Sequence, residues 1–378
     1  MKIIIEADSI AEEKMSGVGH STLEIIKALS EIASKNKIKL TIVVPFGKKQ
    51  SIARYGFKNL KVRTLPPGYR YINYALTRTS LPIYMDLLYG KGVYVFPNYK
   101  NWPLLFSKSL TFIHDVTFKI YPESVNPKNL IYLESNMYRW IKRTDKVLTI
   151  SKSSEKYLTK YFPEYKHKLE VVHLGVNKKI YFKREPKEVG SILKKYKLPE
   201  EYILFVGNIE PRKNLLTLLE AYKIYADNNK KVLPILLVGG DGWNNSEIVL
   251  KIKKLQKEGY KIYSPKIYIP DSEMPYIYSG ASLLVHVAKH EGFGLTLLEA
   301  FATRTPTLLS NIDVLKEVAK KAALYVDPKN AKEIAKNMSA LINDSDLRNQ
   351  LISKGSDRVN LFTWSNTADK LVKIIDNL

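Results

Sequence analysis

The chain has 378 residues, no cysteine and a formal charge of +23, with 45% hydrophobic and 26% charged residues. That balance belongs to a folded protein, and the length points to two domains instead of one. It leaves no room for a disulfide framework or a thiolate zinc site, and no run of about 18 apolar residues offers a membrane-spanning helix.

The N-terminal MKIIIEADSI reads as a buried first strand, too short and too quickly acidic for a signal peptide. A glycine loop, SGVGHS, follows from Ser16 to Ser21 and leads into HSTLEIIKALSEIA, where Leu23, Ile26, Leu29 and Ile32 share a helical face. Glycines let a backbone approach a ligand, and a helix N-terminus offers N–H groups to a phosphate. A tight strand-to-helix turn needs the same residues, and the loop matches neither the dinucleotide fingerprint nor the P-loop. Further strands are expected at KLTIVVP, GVYVFP, LTFIHD, KVLTIS and KLEVVHLG. The third of these ends on His114 and Asp115. A neighbouring carboxylate can orient a histidine or raise its pKa, and a structural loop histidine is the alternative.

The charge is uneven. Residues 1–185 carry 32 Lys/Arg against 15 Asp/Glu, and residues 186–378 carry 28 against 22. Between Ser51 and Leu110, 9 basic residues meet a single acid, Asp86, with Tyr69, Tyr71, Tyr74, Tyr84, Tyr89 and Trp102 interleaved. Such a stretch suits an anionic membrane face or phosphorylated lipid, or it is simply solvated. Nucleic acid is not expected, because no helix-turn-helix, zinc-finger or RNP motif occurs.

From Lys178 to Glu201 the text is lysine-rich and irregular, and it reads as a linker. The pattern then restarts with YILFVGN as a strand, KNLLTLLEAYKIYADN as a helix, and PILLVGG, LLVHVA and TPTLLS as strands. Two βαβ series make the fold class α/β, with two doubly wound parallel-sheet domains. Ligands of such sheets bind beyond the carboxyl ends of the strands, and every unusual cluster of this chain falls at such a place. Two facing sheets would gather these loops into one interdomain cleft.

In GNIEPRKN, Arg212 and Lys213 open a helix, where two cations are unfavourable against the helix dipole. A bound polyphosphate would relieve them; two solvated side chains are the alternative. HEGFGLTLLEA places Glu291 before a glycine turn and Glu299 further along a helix. The amides of Gly292, Phe293 and Gly294 can hold hydroxyls or phosphate oxygens, and Glu299 can accept from a vicinal diol such as ribose. The plainer readings are a dipole partner for Glu291 and a solvated surface carboxylate for Glu299. Asp344 and Asp346, in NDSDLRN, read as helix capping and not as a metal site.

SGVGHSTLEIIKAL, FIHDVTF, GNIEPRKNL, HEGFGLTLLEA and NIDVLKEVAKKAALYVDP, in this order along the chain, resemble the retaining GT-B glycosyltransferases often called family 4. These have two facing Rossmann-like domains with an interdomain cleft. Within the family the chain is most similar to mannosyltransferases of surface-polysaccharide synthesis. The resemblance implies an acceptor-side domain over 1–180, a nucleotide-sugar donor domain over 195–360, and a last helix, 361–378, crossing back to the first domain. It implies hexose transfer from GDP-mannose or a UDP-sugar to a glycan or lipid-linked glycan, without a further cofactor or metal. The setting would be cytoplasmic, with peripheral contact at the inner membrane face. Glu291, Lys213 and His114 would be catalytic: Glu291 binds the donor sugar, Lys213 neutralises the diphosphate, and His114 contacts the sugar near the reacting carbon. Gly17, Gly19, Arg212, Phe293, Gly294 and Glu299 would bind the nucleotide. Two positions depart from the family pattern: Asn208 where arginine is common, and Thr296 where proline is common. A nucleotide-sugar epimerase on the same architecture and a non-catalytic nucleotide-sugar-binding protein are the rival readings.

Overall fold

A computed structural model describes residues 1–12, 15–34, 36–69, 71, 83–265 and 268–378; Tyr74 of the basic stretch lies outside the described residues. The chain divides into two units. One comprises Met1–Val116, Lys128–Leu174 and Trp364–Leu378, the other Thr117–Pro127 and Gly175–Thr363.

Among the described residues, the first unit holds a seven-stranded parallel sheet. Its strands are β1 (Lys2–Glu6), β2 (Lys39–Val44), β3 (Leu60–Thr64), β4 (Val93–Phe96), β5 (Lys108–Phe112), β6 (Lys146–Thr149) and β7 (Leu169–Val171). They lie in the order β3-β2-β1-β4-β5-β6-β7. The second unit holds a six-stranded parallel sheet of β8 (Tyr202–Val206), β9 (Ile235–Val238), β10 (Ile262–Tyr263), β11 (Ala281–His286), β12 (Thr307–Ser310) and β13 (Leu324–Val326). Here the order is β10-β9-β8-β11-β12-β13. Each order turns back once, between β1 and β4 and between β8 and β11. This is the doubly wound pattern expected from the sequence.

The apolar runs form these strands because both faces of each sheet are covered. Ile3, Ile4 and Ile5 of β1 are all fully buried. In β8 the period of two sorts the side chains. Ile203 and Phe205 pack with Leu215, Leu219, Tyr222 and Ile334, while Tyr202 and Leu204 pack with Val189, Leu193, Ile277 and Tyr278. In the first unit the helix Gly17–Ala33 buries Leu23, Ile26 and Leu29, with Ile32 half-buried. Against it packs the closing helix Trp364–Asp376, which buries Trp364, Ala368, Leu371 and Ile375. Thr367 of that helix donates to the His173 carbonyl at 2.8 Å.

Three expectations need correction or completion. The supposed linker contains a helix, Pro186–Lys195, with proline at its first turn and Val189 and Leu193 buried one turn apart. Its lysines are only the solvated face. β3 went unread because LKVRT alternates half-buried apolar and exposed basic residues, the composition of a protected sheet edge. β10 and β13 are two and three residues long, too short for any periodicity to register. Asp344 does cap a helix, accepting from the Leu347 amide at 2.9 Å. No helix among the described residues is long and apolar enough to cross a membrane.

Candidate active site

β8 runs into Gly207 (φ 146°), and β9 into Gly239 (φ 157°). A side chain on Gly239 would collide with the Gly207 carbonyl at 2.0 Å, so the two strand ends meet through glycine. Pro211–Lys213 then makes a single 3-10 turn, ended by Asn214 in the left-handed conformation (φ 61°). Asn214 is buried, and its amide donates to the Val287 carbonyl at 3.0 Å and the Pro328 carbonyl at 2.6 Å. That clamp fixes the turn to the loop after β11. The Lys289 amide strengthens it by donating to the Arg212 carbonyl at 2.9 Å.

The clamp delivers both cations to Glu291. Arg212 Nη1 donates to Glu291 Oε2 at 3.2 Å and to the His290 carbonyl at 3.1 Å, while Nη2 donates to Glu210 Oε1 at 2.6 Å. Lys213 Nζ donates to Glu291 Oε1. His286, the last residue of β11, places Nε2 at 3.0 Å from the same oxygen. The repulsion between Arg212 and Lys213 is therefore relieved by the chain's own carboxylates, where the sequence suggested an anionic ligand would be needed. Burial works to raise the Glu291 pKa, but Lys213, Arg212 and the His286 hydrogen bond outweigh it and hold the carboxyl well below the usual range. Glu291 is thus a buried anion balanced by two cations, each of which a diphosphate can also attract.

The glycine turn continues this site. Gly294 adopts a left-handed φ of 104° before the helix Leu295–Ala302, a conformation that glycine takes without strain. Phe293 is buried with its ring 5.8 Å from that of Phe362, so only its main chain can meet a ligand. Glu299 is not the freely solvated carboxylate of the plainer reading: Oε2 accepts from the Tyr278 hydroxyl at 2.6 Å. Burial pushes its pKa up to about 7 against that bond and a second from Tyr181.

The remaining candidates belong to the first unit. His114 is buried after β5, with Nε2 donating to the Pro97 carbonyl at 2.8 Å and its ring 5.9 Å from Phe112. Burial lowers its pKa and outweighs Asp115, so the expected upward shift from the neighbouring carboxylate does not occur. Gly17 and Gly19 lie in the first turn of their helix, where the Ser16 hydroxyl accepts from the Gly19 amide at 3.4 Å. A side chain on Gly19 would sit 2.8 Å from the Ser9 carbonyl, whereas one on Gly17 would meet nothing within 4 Å. Close packing thus accounts for the second glycine and not for the first.

Residues 191–358, which carry the Arg212–Lys213–Glu291 cluster, match the family of glycosyl transferases group 1. The second unit thus carries a region similar to the group 1 glycosyl transferases. Among its relatives, the O-antigen chain mannosyltransferase B of Escherichia coli is 27% identical over 98% of both chains. The serotype-specific mannosyltransferase WbdA of Escherichia coli is 23% identical over 97% of this chain and 47% of its own. A glycosyltransferase from Rickettsia africae shares the fold at a TM-score of 0.69, with 17% identity over 100% of this chain and 98% of that one. Anabaena HepE, solved in complex with UDP and glucose, shares it at a TM-score of 0.74, with 14% identity over 100% of both. The two-sheet architecture is accordingly GT-B.

In the second sheet the cluster sits where β8 and β11 diverge, the place at which doubly wound sheets bind ligands. Sequence reasoning missed three of its members: Glu210, Asn214 and His286. Only His286 left a visible signal, a lone polar residue inside the apolar run LLVHVA. It missed a second cluster too, at the divergence of β1 and β4. There Lys100 reaches Glu6 at 2.8 Å and also pairs with Asp8.

Proposed function

We propose that this chain transfers a hexose from a nucleoside-diphosphate sugar to a hydroxyl of a glycan or lipid-linked glycan in cell-surface polysaccharide synthesis, with retention at the anomeric carbon. Mannose, carried on GDP, is the first candidate. The observation that carries the reading is the Arg212–Lys213–Glu291 cluster at the end of β8. The O-antigen relative that spans nearly the whole chain favours mannose.

As the sugar–phosphate bond breaks, negative charge accumulates on the departing diphosphate. Lys213 and Arg212, held in a poorly solvated place by the Asn214 clamp, stabilise that charge without reorganisation. Protein cations can do this without a metal. Glu291, relieved of the two cations, accepts from sugar hydroxyls, and Glu299 accepts from the ribose. Gly294 and the Phe293 main chain border the sugar. For the first unit, the reading assigns His114 to the sugar and the Gly17–Gly19 turn to the phosphates.

A panel of GDP-, UDP- and dTDP-sugars, scored by slow hydrolysis and thermal stabilisation, tests the donor. Glu291→Ala should abolish turnover and leave the protein folded; undiminished turnover removes the basis of the assignment. An epimerase would convert the donor without an acceptor, and a binding protein would be stabilised without any product.

The membrane part of the reading has its own support. Asp86, the one acid of the basic stretch, is buried and accepts from the Leu105 amide at 3.0 Å and the Phe106 amide at 2.7 Å. That leaves basic residues and the exposed side chains of Leu87, Leu88, Leu105 and Phe106 outside. Such a surface suits peripheral contact with an anionic leaflet. Co-sedimentation with anionic but not neutral vesicles is expected, and equal recovery with both would dismiss it.

A further inference from the structure

His286 has no part in the function as stated, yet it touches the residue on which that function turns. It is 1% exposed at the end of β11, and its carbonyl accepts from the Ser310 hydroxyl at 3.3 Å. Nε2 lies 3.0 Å from Glu291 Oε1. An ionised carboxylate only accepts, so Nε2 carries the hydrogen and donates it. Nδ1 is buried and has no hydrogen-bond partner among the described residues, as suits the bare nitrogen of a neutral ring. Burial lowers the imidazole pKa against the pull of Glu291, and Lys213 and Arg212 lower it further. His286 is therefore a neutral donor fixed in a strand.

The other two partners of Glu291 differ in kind. Lys213 and Arg212 are cations on flexible stems, and a diphosphate competes for both. When they turn to it, Glu291 loses the contacts that hold its carboxylate. A neutral ring in a strand is not drawn away by the phosphate. We propose that His286 is a positioning residue for the transfer, retaining Glu291 Oε1 through donor binding so that the carboxylate stays aimed at the sugar hydroxyls. This inference rests on the reading that Glu291 binds the donor sugar.

The test compares His286→Phe and His286→Asn with His286→Gln. Phenylalanine fills the site without a donor, and the asparagine amide is too short to replace Nε2. The glutamine amide reaches it. Turnover of GDP-mannose, or of UDP-glucose should that be the faster donor, is followed by release of the nucleoside diphosphate, and binding of the same diphosphate by calorimetry. Loss of one hydrogen bond to a charged group lowers kcat by about ten- to a hundredfold. That loss is expected in the Phe and Asn variants, with KM and diphosphate affinity little changed. His286→Gln should restore most of kcat over the whole pH profile, because the role is donation and not proton transfer. Wild-type kcat in either non-donor variant overturns the proposal. So does a glutamine variant as inactive as the other two, or a loss of diphosphate affinity in step with kcat. Full activity of Glu291→Ala would instead overturn the reading beneath it, so the two failures are distinguishable.

Discussion

Glu291→Gln should weaken the empty protein and tighten its hold on a nucleoside diphosphate. The substitution keeps the shape and removes the charge that balances Lys213 and Arg212. The three side chains are 10%, 12% and 19% exposed, so the cations are left short of both a partner and water. Breaking a buried pair from one side costs about 3–5 kcal/mol. The lower end applies, since Arg212 keeps Glu210 at 2.6 Å. At about 2–4 °C per kcal/mol for a domain of this size, the ligand-free Tm should drop by about 6–12 °C. In the wild type a diphosphate must take the cations from Glu291; in the variant they are unclaimed. Recovering even half of that loss amounts to about 1.4 kcal/mol, or about tenfold in Kd. Differential scanning fluorimetry with and without GDP, and calorimetry for Kd, would measure both effects. Turnover should be lost while affinity rises. Unchanged or weaker GDP binding, or an unaltered ligand-free Tm, would refute the idea that Glu291 and the diphosphate compete for the same cations.

Glu299, pushed up to about 7 by burial, accepts from the two hydroxyls of a ribose diol more strongly as a carboxylate than as an acid, so GDP affinity should rise with pH through that value. Calorimetry across the range should find the rise absent in Glu299→Gln. Glu6 is pushed up to about 8 by burial, with Lys100 pulling the other way. A carboxyl raised in the folded state contributes stability that is complete below its ordinary pKa of 4.5 and is lost as pH climbs through about 8. Thermal melting should show the wild type losing stability over that window, and a flatter curve for Glu6→Gln. Gly19→Ala forces a methyl to 2.8 Å from the Ser9 carbonyl and should cost about 1–3 kcal/mol in denaturant unfolding. Gly17→Ala meets no atom within 4 Å, so it should leave stability intact and weaken GDP binding if the phosphate approaches there.

Much of the fold was legible because parallel strands covered on both faces are apolar throughout. KIIIE, YILFV and ILLV announce themselves by composition alone. The helix Pro186–Lys195 did not, since its inward face is narrow and its lysines resemble a linker. The strand-end rule pointed to Arg212, Lys213, Glu291 and His114, because it needs only a strand and the polar residue after it. It did not reveal which groups pair. Arg212 and Glu291 are separated by 79 positions, and their contact depends on Asn214, whose left-handed backbone and double donation have no sequence signature. His114 illustrates the same limit. Its sequence neighbour Asp115 suggested one electrostatic outcome, and burial imposed the opposite.

The two sheets repeat one strand order and place charge at the same point of it, yet the balance of charge differs. Where β1 and β4 diverge, Glu6 and Asp8 surround a single Lys100. Where β8 and β11 diverge, two cations converge on Glu291. Burial raises Glu6 to about 8, so near neutral pH Lys100 is matched there by the Asp8 carboxylate, and the cluster has no excess of positive charge to draw a diphosphate. At the second it would meet an Arg and a Lys whose present partner is itself an anion, so binding exchanges one pairing for another without leaving a cation unpaired. A hydroxyl-rich, uncharged ligand reverses the preference, because carboxylates accept from hydroxyls and lose little to a lone lysine. This asymmetry supports assigning the nucleoside diphosphate to the second unit and an acceptor glycan to the first. It arises from side chains at or beyond the ends of corresponding strands, and so argues for division of labour more strongly than the fold alone can.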